Sequence, residues 1–491
     1  MRSPAAGGAL DKTFSVCIVQ SERGAIYAQT NFGAPQLGTR KMSEPEDAAL
    51  EGRDRRAETR FIAMAAVTGI VTGTIGSFFH LAIDRLSTWP QALGRLLHGP
   101  WLVLAAALIT MAVTVAMVAV VRRYAPEAAG SGVQEIEGAM SNLRNVRWRR
   151  VLPVKFLTGI GALSSGLVLG REGPTIHIGA SVAAATTDFF RVSDTERRGL
   201  LGAGAAAGLA CAFNAPLAAV LFIIEETHNQ FPYNFRSYMG VIVAAFFSTV
   251  MTEVIGGTAP DFSMSVATPA LALLPAFVVL GVLLGFVGVA LNASLMSVSG
   301  FTIAMHKRIP YLMPALIGLA IGALFILFPR AVTGGENVIV SLARDHVVLS
   351  ALLLLAVLRF ATMVVSYSAG TPGGIFAPML ALAIAIGLAF GTTLEGILPE
   401  GTAIPLAFGI AAMGGLFSAS VRAPVVGVAL TLELTGAYTM TLPLIATCVT
   451  ANVAARWLGG QPIYEQLLER TLKQAGVHPE RMPHRPESEL G

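Results

Sequence analysis

Two uncharged apolar stretches, 61–83 and 101–121, open the regular part of the hydropathy pattern. Each is long enough to cross a hydrocarbon core of about 30 Å as a helix of about 20 residues. The spacing predicts an out-and-back pair. Arg53, Arg55, Arg56 and Arg60 precede the first stretch, and Arg122, Arg123, Arg144, Arg147, Arg149 and Arg150 follow the second, whereas only Arg85 and Arg95 lie between them. Basic residues favour the cytoplasmic side, so the N-terminal tail is expected there.

Beyond Arg150 the pattern becomes irregular. Stretches such as 156–170 and 174–187 are too short to span, while 262–305 and 360–394 are too long for one span, and many are cut by Gly or Pro. Backbone that stops within a bilayer must be buried in protein or line a polar cavity, because unpaired peptide groups in lipid are costly. Broken helices therefore point to a transport pathway.

Composition agrees. Of 491 residues 54% are hydrophobic and 13% charged, against about 25% charged in soluble domains. Charge gathers at the ends, with 17 of the 64 Asp, Glu, Lys and Arg residues in positions 1–60 and nine beyond Tyr464. Residues 1–60 read as a mostly disordered tail. Cys17, Cys211 and Cys448 are too few and too scattered for a disulfide framework or a metal cluster, and read as core thiols. The net charge of +4 comes with no basic run interleaved with aromatics, which excludes a nucleic-acid surface. The N-terminus MRSPAAGGALDKTF lacks the apolar core of a signal peptide.

The chain also aligns on itself. APLAAVLFIIEET (Ala215 to Thr227) matches APVVGVALTLELT (Ala423 to Thr435) at an offset of 208, and Pro174 with Pro378 and Gly130 with Gly334 repeat at 204. These pairs suggest two halves, 61–265 and 266–470, followed by a short tail over 471–491. Three Gly-rich strings, GSGVQ (Gly130 to Gln134), GREGP (Gly170 to Pro174) and GGIFAP (Gly373 to Pro378), each precede an apolar segment. Glycine lets backbone N–H groups face a common cavity, and a helix N-terminus carries about half a positive charge. Such ends can hold an anion without a full cation in the pore. Helix packing is the competing explanation for any one of the strings.

In this order GSGVQEIEGA, GREGPTIHIGA, AFNAPLAAVLFIIEE, GGIFAPML and PIYEQLLERTLKQ resemble the CLC family of chloride channels and proton/chloride exchangers, in its bacterial exchanger branch, over about residues 60–475. The resemblance implies an all-α polytopic membrane protein with the CLC fold: two inverted-topology repeats and many short, broken or tilted helices. It also implies a homodimer with one pathway per subunit in the bacterial inner membrane, with both termini cytoplasmic. It implies no cofactor, no metal and no nucleic acid, only chloride, protons and membrane lipids as partners.

By the same resemblance Ser131 and Tyr464 supply hydroxyls to a central chloride, and the backbone of Ile375 and Phe376 completes that site. Backbone around Arg171, Glu172 and Gly173 matches an outer site. Glu172 matches the external gate and proton carrier, since a carboxylate beside an anion pathway can occupy the site when ionised and leave it when protonated. An ion pair with Arg171 is the alternative for Glu172. Glu226 matches the internal proton acceptor that channel members generally lack. Glu225 reads as a solvated helix-end charge, Glu433 as its packing echo, Glu137 as a buried structural carboxylate, and His80 and His177 as packed histidines. Gln134 departs from the family, which usually has proline there, and the lost φ restraint is expected to loosen the loop carrying Ser131.

The expectation is therefore a secondary transporter exchanging chloride for protons, and not an enzyme. A passive chloride channel and a fluoride/proton exchanger of the same fold are the alternatives. An intramembrane hydrolase would have to use Ser164, Ser165 and His177, which no nucleophile motif surrounds.

Overall fold

The computed structural model describes residues 19–20, 26–27, 44–227, 230–257, 262–399 and 404–476. It divides into two units, Met1–Arg56 and Ala57–Gly491. Most of the tail expected to be disordered, and residues 477–491 of the expected terminal tail, lie outside the described residues. In the first unit the two-residue strands β1 (Val19–Gln20) and β2 (Ile26–Tyr27) pair antiparallel. Helix α1 (Glu44–Leu86) begins well before Phe61, so the segment just ahead of the first apolar stretch is helical.

The remaining described elements are helices. α2 (Trp89–Gly94) and α3 (Pro100–Tyr124) complete the opening pair. α4 (Val133–Met140), α5 (Trp148–Ser164), α6 (Glu172–Phe190), α7 (Asp194–Phe213), α8 (Pro216–Glu226) and α9 (Phe235–Gly256) follow. Next come α10 (Leu274–Arg308), α11 (Leu312–Leu327), α12 (Glu336–Arg344), α13 (Leu349–Ser368) and α14 (Phe376–Glu395). The chain then forms α15 (Pro405–Val421), α16 (Pro424–Thr435), α17 (Thr441–Trp457) and α18 (Ile463–Gln474).

Local sequence explains the boundaries. Pro216, Pro405 and Pro424 start helices where a missing N–H costs nothing. Ser193 and Glu196 form a reciprocal capping box on α7. Asn234 accepts the Ser237 N–H at 2.9 Å to start α9. Among the described residues seven helical stretches are long and apolar enough to cross a membrane.

Two apolar runs that exceed one span resolve differently. Most of 262–305 is the single helix α10 of 35 residues, about 52 Å at 1.5 Å per residue, so it must tilt or project beyond the hydrocarbon core. The run 360–394 instead breaks between α13 and α14 at the turn that carries GGIFAP.

The two related halves meet in matched pairs. Gly132 ahead of α4 and Gly335 ahead of α12 both take positive φ, 96° and 98°, a conformation that side chains disfavour. Gly170 and Gly374 exchange backbone hydrogen bonds of 2.9 and 2.7 Å. Glu433 at the end of α16 accepts the N–H groups of Leu217 and Ala218 at the start of α8, at 3.0 and 2.6 Å. Glu225 at the end of α8 accepts those of Val425 and Val426 at the start of α16, at 3.2 and 2.8 Å. Each glutamate therefore caps the other half's helix, and the solvated end expected for Glu225 is replaced by a structural contact.

A buried cation accompanies each glycine turn. Lys155 on α5 donates to the carbonyls of Ala128 and Gly130 at 3.0 and 2.7 Å. At the corresponding place on α13, Arg359 donates to those of Arg330, Val332 and Thr333 at 2.8, 3.1 and 3.0 Å. Both side chains are fully buried. Ammonium and guanidinium groups in such a setting need several acceptors, and the loop carbonyls provide them.

Candidate functional site

Three helix N-termini and one tyrosine converge inside the second unit. α4 begins just after Ser131, α6 begins at Glu172 and α14 begins at Phe376. Ser131, Glu172, Ile375, Phe376 and Tyr464 are all fully buried. The approach is close: a Cβ built on Gly173 would lie 2.6 Å from the Ser131 Oγ and 2.9 Å from the Gly374 Cα.

At the centre, the Phe376 N–H donates to the Glu172 carboxylate at 2.6 Å. A Cβ on Gly170 or on Gly374 would overlap that carboxylate, so both glycines are required by its position. The carboxyl group thus stands in the place an anion would take at the amino end of α14. Among the described residues its second oxygen has no hydrogen-bond partner, and neither does the Ser131 or the Tyr464 hydroxyl. Unpartnered buried polar atoms are costly, and three of them in one small region describe a site shaped for a polar or charged guest.

The aromatic ring of Phe376 ties the site together. It packs against Tyr464 at 5.8 Å between centroids, Phe417 at 4.8 Å and Phe222 at 5.6 Å, all near edge-to-face. Tyr464 is therefore held by packing, with its hydroxyl left uncommitted. Tyr367, absent from the sequence expectations, is buried beside the same turn, its hydroxyl 3.3 Å from where a Gly130 Cβ would stand. A tyrosine at the end of an apolar run carries no distinguishing signal.

Several expectations change. Arg171 pairs with Glu336 on α12 at 2.9 Å, so the Arg171–Glu172 ion pair is replaced by a contact between the halves. Gln134 also makes a local tie in the loop expected to be loosened, since its Oε1 accepts the Gly132 N–H at 3.2 Å. Glu226 is half-buried at the end of α8, with Glu137, Glu225 and Glu465 as charged neighbours. Glu137 is buried, and its Oε1 lacks a partner.

His80 contacts the Thr175 hydroxyl at 3.2 Å, and His177 packs against Gly132, where a Cβ would overlap its ring. The hydrolase alternative has no geometry: Ser164 and Ser165 donate to the carbonyls of Ile160 and Ala162 in their own helix, at 2.6 and 2.8 Å. Neither serine is bonded to His177. Lys155 and Arg359 escaped the sequence reading, although the signal existed as lone cations in apolar segments at the repeat offset of 204.

Comparison with known proteins places this arrangement. Residues 113–456 match the family model described as voltage gated chloride channel. The chain is 43% identical over 440 residues to the H(+)/Cl(-) exchange transporter ClcA of Vibrio parahaemolyticus, covering 87% of this chain and 94% of that one. The crystal structure of a slow cyanobacterial Cl-/H+ antiporter superposes with a TM-score of 0.81 at 34% identity, over 85% of this chain and 99% of that one. A CLC-type fluoride/proton antiporter superposes with a TM-score of 0.67 at 19% identity, over 83% and 97% respectively, a likeness of fold alone. With the matched halves, the broken helices and these similarities together, the chain belongs to the voltage-gated chloride channel family and has the CLC fold.

Proposed function

We propose that this protein exchanges chloride for protons across the bacterial inner membrane, through one pathway in each subunit of a homodimer, with both termini cytoplasmic. The observation that carries the reading is the Glu172 carboxylate, buried and bonded to the Phe376 N–H in the same region as two buried hydroxyls without hydrogen-bond partners among the described residues. An ionised carboxylate and a chloride compete for the same donors. Protonation removes the charge that those donors favour, so the side chain leaves as the acid and an anion takes its place. One group then acts as both gate and proton carrier.

The central chloride would be held by the Ser131 and Tyr464 hydroxyls and by the backbone N–H groups of Ile375 and Phe376. The outer position would use backbone around Arg171, Glu172 and Gly173. Partial charges suit this task, because binding must be strong enough to replace hydration and weak enough to release the ion. Glu226 would receive the proton on the inner side. Its neighbours Glu137 and Glu465 supply further carboxylates near that end of the route. Similarity to the Vibrio parahaemolyticus and cyanobacterial proteins supports chloride over fluoride and exchange over passive conduction.

The test is a chloride gradient imposed across proteoliposomes while external pH is recorded. Uphill proton movement is expected from the unaltered chain. Glu172→Ala should conduct chloride without moving protons, and Glu226→Gln should do the same. Continued proton pumping by either variant would remove that residue from the mechanism. Light scattering in detergent checks the homodimer.

A further inference from the structure

A cavity of about 940 Å³ lies against the turn that carries Ser131, bounded by the end of α3, the α4–α5 loop, the end of α13 and α18. Six arginines line it: Arg122, Arg123, Arg144, Arg147, Arg150 and Arg470. Only two carboxylates answer them. Glu135 takes Arg144 through two bonds of 2.9 Å, and Glu127 takes Arg150 at 2.6 Å. The other four arginines have no carboxylate partner among the described residues. The Nη1 of Arg470 is shielded from solvent and has no acceptor among the described residues.

That surplus exceeds what a halide needs. A single monovalent ion fills a small part of this volume and satisfies one guanidinium fork. A phosphate group offers several oxygens and up to two charges in the geometry that guanidinium groups bind bidentately. The volume falls in the range of sites for small organic ligands, which is about 300–1,000 Å³. Tyr124, 62% exposed, adds an aromatic face to the lining on which a base could stack.

We propose that this cavity binds a phosphate-bearing polyanion of nucleoside-polyphosphate size, and that its occupancy obstructs the inner route to Ser131. Gly130, Gln134 and Tyr367 form part of the wall. Gln134 braces the Gly132 N–H, so a ligand that draws on its amide also acts on the turn holding Ser131. The obstruction rests on the transport reading above, whereas the binding does not.

Calorimetry on the detergent-solubilised full chain tests the site with inorganic tripolyphosphate and with adenosine triphosphate, at constant ionic strength. Saturable binding is expected, weakened about tenfold or more by the double variant Arg123→Gln/Arg147→Gln, whose side chains are exposed and whose loss leaves the packing intact. Arg470→Lys, which keeps the charge but not the fork, should weaken binding less. Absence of saturable heat, or equal affinity in the double variant, overturns the site. Displacement of tripolyphosphate by a short-chain phosphatidylglycerol at lower concentration than adenosine triphosphate would identify a lipid headgroup as the source of the phosphate. In proteoliposomes the polyanion should slow chloride-driven proton movement in the unaltered chain and not in the double variant. Binding without slowing overturns the obstruction alone. A chain that moves no protons in any condition overturns the transport reading, and calorimetry still decides the site.

Discussion

The turn before α4 and the turn before α12 share one scaffold and serve different ends. Each has a glycine at positive φ, and each is pinned by a buried cation one helix later in the chain, Lys155 in one half and Arg359 in the other. The first turn presents Ser131, whose hydroxyl is unbonded and turned to the site. The second presents Glu336, already committed to Arg171 at 2.9 Å. The comparison teaches that the repeat supplies loop geometry, and that the residue placed on the loop decides whether it locks the halves together or, under the proposed function, receives an anion.

The comparison breaks most visibly at the cations. Arg359→Met leaves three loop carbonyls without their donor, at about 1–3 kcal/mol each, so thermal unfolding in detergent should show the largest loss of stability. Halide affinity, measured by calorimetry on whatever folds, should stay near that of the unaltered chain. Lys155→Met strips two carbonyls and should destabilise less, yet lower halide affinity about tenfold by releasing the Ser131 turn. If both variants changed halide affinity equally, the division of labour between the turns would be wrong.

Smaller effects sharpen the contrast. Ser131→Ala removes one neutral donor, worth about 1 kcal/mol, and should weaken halide binding roughly fivefold without altering the melting temperature. Glu336→Gln removes the charge from a partly exposed ion pair, worth at most about 1 kcal/mol. Its signature is a slight fall in melting temperature with halide affinity unchanged. A halide effect larger than that of Ser131→Ala would assign the second turn to the binding site as well.

The sequence shows the fold most clearly where backbone chemistry imposes residue types. GREGP and GGIFAP had to be glycine-rich, because a Cβ at Gly170 or Gly374 would strike Glu172, and in GSGVQ a Cβ at Gly132 would strike the His177 ring. Hydropathy was a poorer guide. It marks 262–305 as too long for one span, yet α10 runs unbroken through 274–305 of it, since nothing in an apolar run records its tilt. Side-chain partners across the halves were the least visible. Arg171 sits next to Glu172 in sequence but bonds a carboxylate 165 positions away, and Glu225 resembled a surface charge until α16 was found beside it. Pairings of this kind depend on which helices meet, and a single chain read linearly does not contain that information.

The exchanged caps of α8 and α16 bear on how the molecule is made. As the ribosome releases α8, the amide groups of Leu217 and Ala218 wait for Glu433, a residue that arrives 216 positions after Leu217. Neither half can finish its own helix ends. Closure of this seam therefore has to wait for the second half, and a truncated first half would leave the Leu217 and Ala218 amides without their acceptor until a second half, on the same strand or supplied separately, closed over them.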